Sequence, residues 1–188
     1  MASPPSHHGP TRGRLLAMSD KPVTRESADL LETIAQHRHL LRYTVRDLTD
    51  EQAARRTTAS ELCLGGLIKH VASMERRWIN FITEGPSAMG PADGDTMADW
   101  SAGFRILEGE TLAGLLDEYE QIADRTAALV VTLPDLEVIQ PLPEAPWFEP
   151  GARWSARRVL LHLIAETAQH AGHADILREC LDGAKTMG

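Results

Sequence analysis

One helical stretch near the end of the chain concentrates side chains that could do chemistry. In AETAQHAGHAD, residues 165–175, Glu166 is followed by His170 and His173, and His162 lies one turn upstream. An α-helix turns about 100° per residue, which puts the three imidazoles within about 40° of Glu166 around the helix axis. The same side carries three apolar residues, Val159, Leu163 and Leu177. This polar stripe is therefore predicted to face the core.

A carboxylate in a core is unfavourable unless it is paired or neutralised. Glu166 and His170 are four residues apart, so their Cβ atoms lie about 5–6 Å apart and their donor atoms converge. That spacing suits chelation of one metal ion. A single histidine on an apolar face is more often a hydrogen-bonded core residue, so the metal interpretation depends on the combination. A buried hydrogen-bond network without metal stays open as the alternative.

A third donor is predicted on a helix that faces the stripe. In ELCLGGLIKHVASMERRWINF, residues 61–81, His70 is the polar member of an apolar stripe that includes Leu67 and Met74. With Glu166 and His170 it completes a His/His/Glu set. Three protein ligands leave one coordination position open, as in catalytic zinc sites. Zinc is the expected metal, and nickel, iron and manganese accept the same donors. Glu75 lies about 140° from His70 around the helix and is predicted to be structural.

Four long helical patterns position these residues. They run from about 27 to 48, 61 to 83, 112 to 131 and 155 to 183. A capping box is predicted at Thr49–Gln52, and Ser155 and Gly183 are the expected start and stop of the last helix. The connections at 84–110 and 134–151 are long and rich in Gly and Pro, and no strand is expected. The fold class is therefore all-α, a four-helix bundle with long connections between helices 2–3 and 3–4.

Composition places the chain among ordinary globular proteins. Its 188 residues carry a formal net charge of −8, with the basic residues scattered, so a nucleic-acid partner is not expected. No apolar run is long enough to span a membrane, and no secretory signal is recognisable. A cytoplasmic location is expected. Residues 1–22 are predicted to be a disordered tail, 23–184 the bundle and 185–188 a short tail. The sequence leaves open whether Met1 or Met18 is the true start.

Two segments resemble a known superfamily. GGLIKHVASMERRW and LLHLIAETAQHAGHADILRE resemble the DinB-like metal-binding four-helix bundles, and more closely their mini-circle-type (DUF664) branch. The resemblance covers roughly residues 24–184. Such proteins typically have one histidine on the second helix, matched by His70, and two histidines four apart on the last helix. His170 matches the second of that pair, and Glu166 replaces the first, similar to mycothiol-dependent maleylpyruvate isomerase.

The resemblance implies a function. Related proteins are S-transferases and isomerases that use mycothiol, bacillithiol or glutathione. A metal-dependent enzyme that transfers a low-molecular-weight thiol to a small electrophile, or uses the thiol for isomerisation, is therefore expected. A water-activating hydrolase would need the same open metal position and stays open as a further alternative. The alternative is a non-catalytic metal-binding or stress-response protein of the same fold. A homodimer is the generic expectation.

Further side chains have candidate roles near such a site. His162 and His173 are candidates for proton transfer, for supporting the metal ligands or for contacting substrate, with core packing as the alternative. Arg178 is a candidate for binding the thiol's carboxylate, with a helix-surface ion pair as the alternative. Trp100, Trp147 and Phe148 either wall the site or anchor the loops.

Overall fold

The computed structural model describes residues 23–90 and 101–186, and within them the fold is predominantly α-helical. Four long helices and one short helix lie wholly within these described ranges: α1 (Arg25–Tyr43), α2 (Asp50–Ala54), α3 (Leu64–Glu84), α4 (Leu112–Thr132) and α5 (Ala156–Asp182). A 3₁₀ helix, Gly85–Met89, follows α3. The predicted tail at 1–22, both candidate start residues, Trp100 and the last two residues lie outside the described part of the chain.

The first helix differs from its predicted bounds at both ends. It begins two residues before Ser27, because Thr24 Oγ1 accepts a hydrogen bond from the backbone N–H of Ser27 at 3.1 Å. It ends at Tyr43 and does not reach Leu48. There Thr44 Oγ1 donates to the carbonyl of Leu41 at 2.7 Å, and Asp47 adopts a left-handed φ of 59°. Both features replace helical hydrogen bonding with a turn.

Local capping signals in the sequence are confirmed at three helix ends. Thr49 and Gln52 form the reciprocal capping box of α2, with N–H···O distances of 2.9 and 3.2 Å. Ser155 Oγ accepts from the backbone N–H of Arg158 at 3.2 Å and starts α5. Gly183 ends α5 with a φ of 79°, a conformation that favours glycine.

The expectation of no strand is wrong in one place. Residues Ile139–Pro141 (β1) pair antiparallel with Arg153–Ser155 (β2), and Gln140 lies opposite Trp154. Each strand has only three residues, too few for alternation to show in a sequence. This hairpin turns the connection before α5 back onto the bundle, and the backbone N–H of Ala156 donates to the carbonyl of Val138 at 2.8 Å.

The long helices form a closed bundle in the order α1, α5, α3, α4 around the axis. Apolar side chains from all four fill the centre and are almost entirely removed from solvent, among them Ile34, Leu41, Leu67, Val71, Phe81, Tyr119, Leu160 and Leu163. Burying each large side chain of this kind stabilises the fold by about 1.5–3 kcal/mol. The core thus fixes the relative positions of α3 and α5.

An ion pair lies inside this core. Glu75 is fully buried and accepts hydrogen bonds from the guanidinium of Arg38, with Nε to Oε2 at 3.0 Å, and from the hydroxyl of Thr126. The pair joins α1 and α3, and Thr126 adds α4. The prediction that Glu75 is structural agrees with this arrangement.

The segment just after α5 also contacts the bundle. The backbone N–H of Thr186, which falls in the predicted C-terminal tail, donates to Asp175 Oδ1 at 2.8 Å. Among residues 23–90 and 101–186, no helix combines the length and hydropathy needed to cross a membrane.

Candidate metal centre

Helices α3 and α5 run antiparallel along the site. The His70 ring contacts His170, whereas Trp78, two turns further along α3, contacts His162, two turns earlier on α5. Residue numbers therefore rise on one helix as they fall on the other. This pairing explains how residues nearly a hundred positions apart in sequence meet at one level of the bundle.

The structure brings His70, Glu166 and His170 together. One donor atom from each lies within 4.8 Å of the other two. His170 Nε2 is 3.6 Å from Glu166 Oε2, and the rings of His70 and His170 stand nearly perpendicular with centroids 4.9 Å apart. All three side chains are partly buried. Two imidazoles and one carboxylate therefore converge from two helices on one point.

The two imidazoles of the cluster are suited to act as neutral donors. Burial lowers the pKa of His70 to about 4, helped by the nearby His170 and Arg77. Burial also lowers the pKa of His170, although Glu166 works in the opposite direction. A neutral imidazole has a free lone pair, which metal binding requires. The donors therefore fit a divalent cation such as zinc near pH 7.

Phe104 covers one side of the cluster, a role that the sequence did not indicate. Its ring stacks on His70 with centroids 4.0 Å apart and an interplanar angle of 20°, and Phe104 is only 8% exposed. The loop that carries it is held by Cys63 Sγ, which lies 3.6 Å from the carbonyl of Phe104, and by Lys69 Nζ, which donates to the carbonyl of Arg105 at 3.3 Å.

Gly66 allows this loop to approach α3. A Cβ placed on Gly66 would lie 1.8 Å from the carbonyl oxygen of Phe104, and one on Gly65 would lie 2.3 Å from the Ile106 side chain. The Gly66 contact is with backbone and cannot be relieved by a rotamer change. The paired glycines, four and five residues before His70, were the signal in the sequence for a close backbone approach.

His173 and His162 flank the three residues along α5. His173 Nδ1 lies 3.4 Å from His170 Nδ1, so it contacts the ring nitrogen that points away from Glu166. His162 Nε2 is 4.0 Å from Glu166 Oε1, and its ring packs edge-on against Trp78 and Trp154. Burial lowers the pKa of His162, with Glu166 opposing. Both histidines are thus neighbours of the cluster.

Arg178 does not face this cluster, which contradicts its candidate role in binding a thiol. Its side chain is buried, and its Nη1 donates to the carbonyls of Thr44 and Arg46 at 2.8 Å each. Its Nε donates to Asp182 at 2.9 Å. It lies two turns beyond His170, about 12 Å along the helix. Arg178 instead ties the end of α5 to the turn after α1. It does form an ion pair within the helix, with Asp182, but the arginine is buried and not at the helix surface as the alternative expected.

Comparison with known proteins places the chain in a family. Residues 29–183 match the family model described as mycothiol-S-transferase. A search of curated proteins finds no significant match. The family match spans all four long helices apart from the first turn of α1 and includes His70, Glu166 and His170. The chain therefore belongs to the mycothiol-S-transferase family, within the DinB-like superfamily.

Proposed function

We propose that this chain is a metal-dependent S-transferase that joins mycothiol to a small electrophile. The observation that carries the proposal is the convergence of the His70, Glu166 and His170 donors within 4.8 Å. The family match supports mycothiol as the thiol. Three protein ligands and an open position would distinguish this site from a closed structural one.

The reaction requires a nucleophilic sulfur. A divalent ion bound by the three donors would favour the thiolate form of the co-substrate, because a coordinating thiol is deprotonated. The thiolate is the nucleophile. The sulfur forms a bond to the electrophilic carbon, and the leaving group departs with the electron pair of the bond that breaks. The thiol's proton passes to solvent or to a flanking imidazole, for which His162 and His173 are the candidates by position.

The flanking residues prepare the donors for this role. If His170 offers the Nε2 lone pair on its Glu166 side, its remaining ring proton is on Nδ1 and faces His173 Nδ1 at 3.4 Å. Such a contact fixes both the tautomer and the orientation of the ring. Phe104 covers one face of the His70 ring and excludes water there. The chain thus supplies orientation and a partly dry environment, in which electrostatic interactions are stronger.

The first test is metal content. Protein purified without chelators is analysed for metals, beside His70→Ala and the control His39→Ala, which removes an exposed imidazole of α1 outside the site. We expect one divalent ion per chain in the parent and the control, and loss of the ion in His70→Ala. A parent protein without stoichiometric metal would contradict the proposal and favour a buried hydrogen-bond network.

The second test is turnover. The same three proteins are assayed with mycothiol, bacillithiol and glutathione against iodoacetamide. We expect mycothiol-dependent alkylation that disappears in His70→Ala and persists in His39→Ala. Bound metal without turnover with any thiol would overturn the enzymatic proposal in favour of a non-catalytic metal-binding protein.

A further inference from the structure

Aromatic side chains form a connected cluster beside the candidate metal centre. The Trp154 ring stacks on Trp78 with centroids 4.7 Å apart and lies 5.2 Å from the His162 ring. Phe148 follows at 5.9 Å from Trp154, and Trp147 at 6.2 Å from Phe148. We call Trp78, Trp147, Phe148, Trp154 and His162 the aromatic tier. It contains three of the chain's four tryptophans.

The tier runs from solvent to the neighbour of a proposed metal ligand. Trp78 is 5% exposed, Trp154 and Phe148 are partly buried, and Trp147 is 71% exposed. At the inner end, His162 Nε2 is 4.0 Å from Glu166 Oε1. The tier therefore links the surface of the molecule, at Trp147, to His162, which lies one turn of α5 from Glu166.

Packing of the hairpin explains only the inner part of the tier. Trp154 lies in β2 and packs on Trp78 of α3, and the hairpin is closed by the hydrogen bond from the Leu142 N–H to the carbonyl of Ala152 at 2.9 Å. Trp147 contacts Phe148 but leaves most of its indole in water. A single exposed tryptophan needs no explanation. Trp147 differs because it continues a row of aromatic rings that leads toward the candidate metal centre. Its exposed indole therefore provides a stacking position for a ligand ring.

A cation lies at the edge of the tier. The exposed guanidinium of Arg158 sits over the Trp154 ring, 4.9 Å from its centroid. The Arg158 guanidinium is attracted to the face of an aromatic ring, and its N–H groups can also donate to ligand oxygens. The combination suits a planar aromatic ring that bears nitro, carbonyl or carboxylate oxygens.

We propose that the aromatic tier binds the electrophile, and that the favoured electrophiles are planar aromatic compounds with oxygen-bearing electron-withdrawing groups. This inference rests on the proposed S-transferase function. For chlorodinitrobenzene, the thiolate sulfur bonds to the ring carbon that bears chlorine. The carbon–chlorine bond breaks, chloride leaves with its electron pair, and the thiol's proton passes to solvent.

The test compares Trp147→Ala with the control Ile176→Ala, which removes another exposed apolar side chain, 59% exposed, from α5 outside the tier. The kinetic readout is the ratio of kcat/KM for chlorodinitrobenzene to that for iodoacetamide, with mycothiol as the thiol. We expect Trp147→Ala to lower this ratio about two- to tenfold, the effect of losing one aromatic stacking partner. Ile176→Ala should leave it unchanged.

A binding measurement separates this inference from the catalytic one. Equilibrium dialysis with dinitrobenzoate, which is not a substrate, should show about two- to tenfold weaker binding to Trp147→Ala than to the parent or to Ile176→Ala. If no thiol supports turnover but this difference is seen, the S-transferase proposal fails and the ring site stands.

Two outcomes would overturn the ring site. One is turnover with an unchanged specificity ratio and unchanged dinitrobenzoate binding in Trp147→Ala. The other is a Trp147→Ala protein that differs only by dissociating from dimer to monomer, which would assign the exposed indole to a subunit interface.

Discussion

The contact between Gly66 and Phe104 leads to a specific prediction about stability. In Gly66→Ala the new Cβ would start 1.8 Å from the carbonyl oxygen of Phe104 and 2.3 Å from its carbonyl carbon. These are backbone atoms, so either the loop at 101–107 moves away or α3 shifts in the core. Overpacking of this kind costs about 1–3 kcal/mol.

Two further contributions set the net effect. Alanine is favoured over glycine in a helix interior by about 0.8–1.0 kcal/mol, which offsets part of the cost. If the loop detaches, the buried Phe104 ring becomes exposed, and losing that burial costs about 1.5–3 kcal/mol. With the propensity gain subtracted from either cost, we expect Gly66→Ala to lower the free energy of unfolding by about 0.5–2 kcal/mol.

Gly172 provides the matched control. It lies inside α5, and a Cβ there would meet no atom within 4 Å outside its own local helix backbone. Gly172→Ala should therefore stabilise the fold by about 0.5–1 kcal/mol. The two variants are compared by urea denaturation and by thermal unfolding, in which a change of about 1 kcal/mol shifts Tm by roughly 2–4 °C for a chain of this size. If Gly66→Ala proves as stable as Gly172→Ala, the loop does not pack on α3 as described.

Three other predictions concern the core, the site and its metal. Arg38→Met should lower the free energy of unfolding by about 3–5 kcal/mol, because it leaves the Glu75 carboxylate buried without its partner. In urea titrations the double variant Arg38→Met/Glu75→Leu should recover most of that loss. An equal loss in both variants would contradict the buried ion pair. His173→Ala should weaken metal binding about 10–100-fold, measured by competition with a chelating dye, while the control His39→Ala should leave the affinity unchanged. Equal metal affinities of His173→Ala and His39→Ala would show that His173 does not support His170. Removing the metal by dialysis against a chelator should lower Tm, since an ion present at about 1,000 times its Kd stabilises the native state by about 4.1 kcal/mol. Tm should return to its original value when zinc is added. A Tm independent of metal would count against a site preformed in the native state.

Periodicity and local capping predicted most of the helical architecture. The spacing of apolar residues indicated four long helices, Ser155 and Gly183 marked the ends of the last one, and the Thr49–Gln52 capping box marked the start of the short helix α2. These signals can be read because they operate within a few residues. The short strands were missed for the opposite reason. Three-residue strands have no readable alternation, and their pairing depends on residues more than ten positions apart.

The same distinction applies to the candidate site. The i,i+4 spacing of Glu166 and His170 determined that both would share one face of a helix, since helix geometry alone fixes that relation. The stripe on α3 likewise indicated that His70 would face inward. Neither pattern could show that Phe104 stacks on His70, because that contact is made by a loop whose path depends on Gly66.

Arg178 and Arg38 show where the sequence was insufficient. A helical arginine has a long side chain that can reach solvent, a ligand or a buried partner, and only the neighbouring elements decide among them. The Arg178 guanidinium meets the carbonyls of Thr44 and Arg46. The Arg38 guanidinium meets the buried carboxylate of Glu75. The sequence thus determined which apolar and metal-binding side chains each helix turns inward. The tertiary structure decided which partners the side chains meet, because partners come from elements whose approach is set by packing of the whole core.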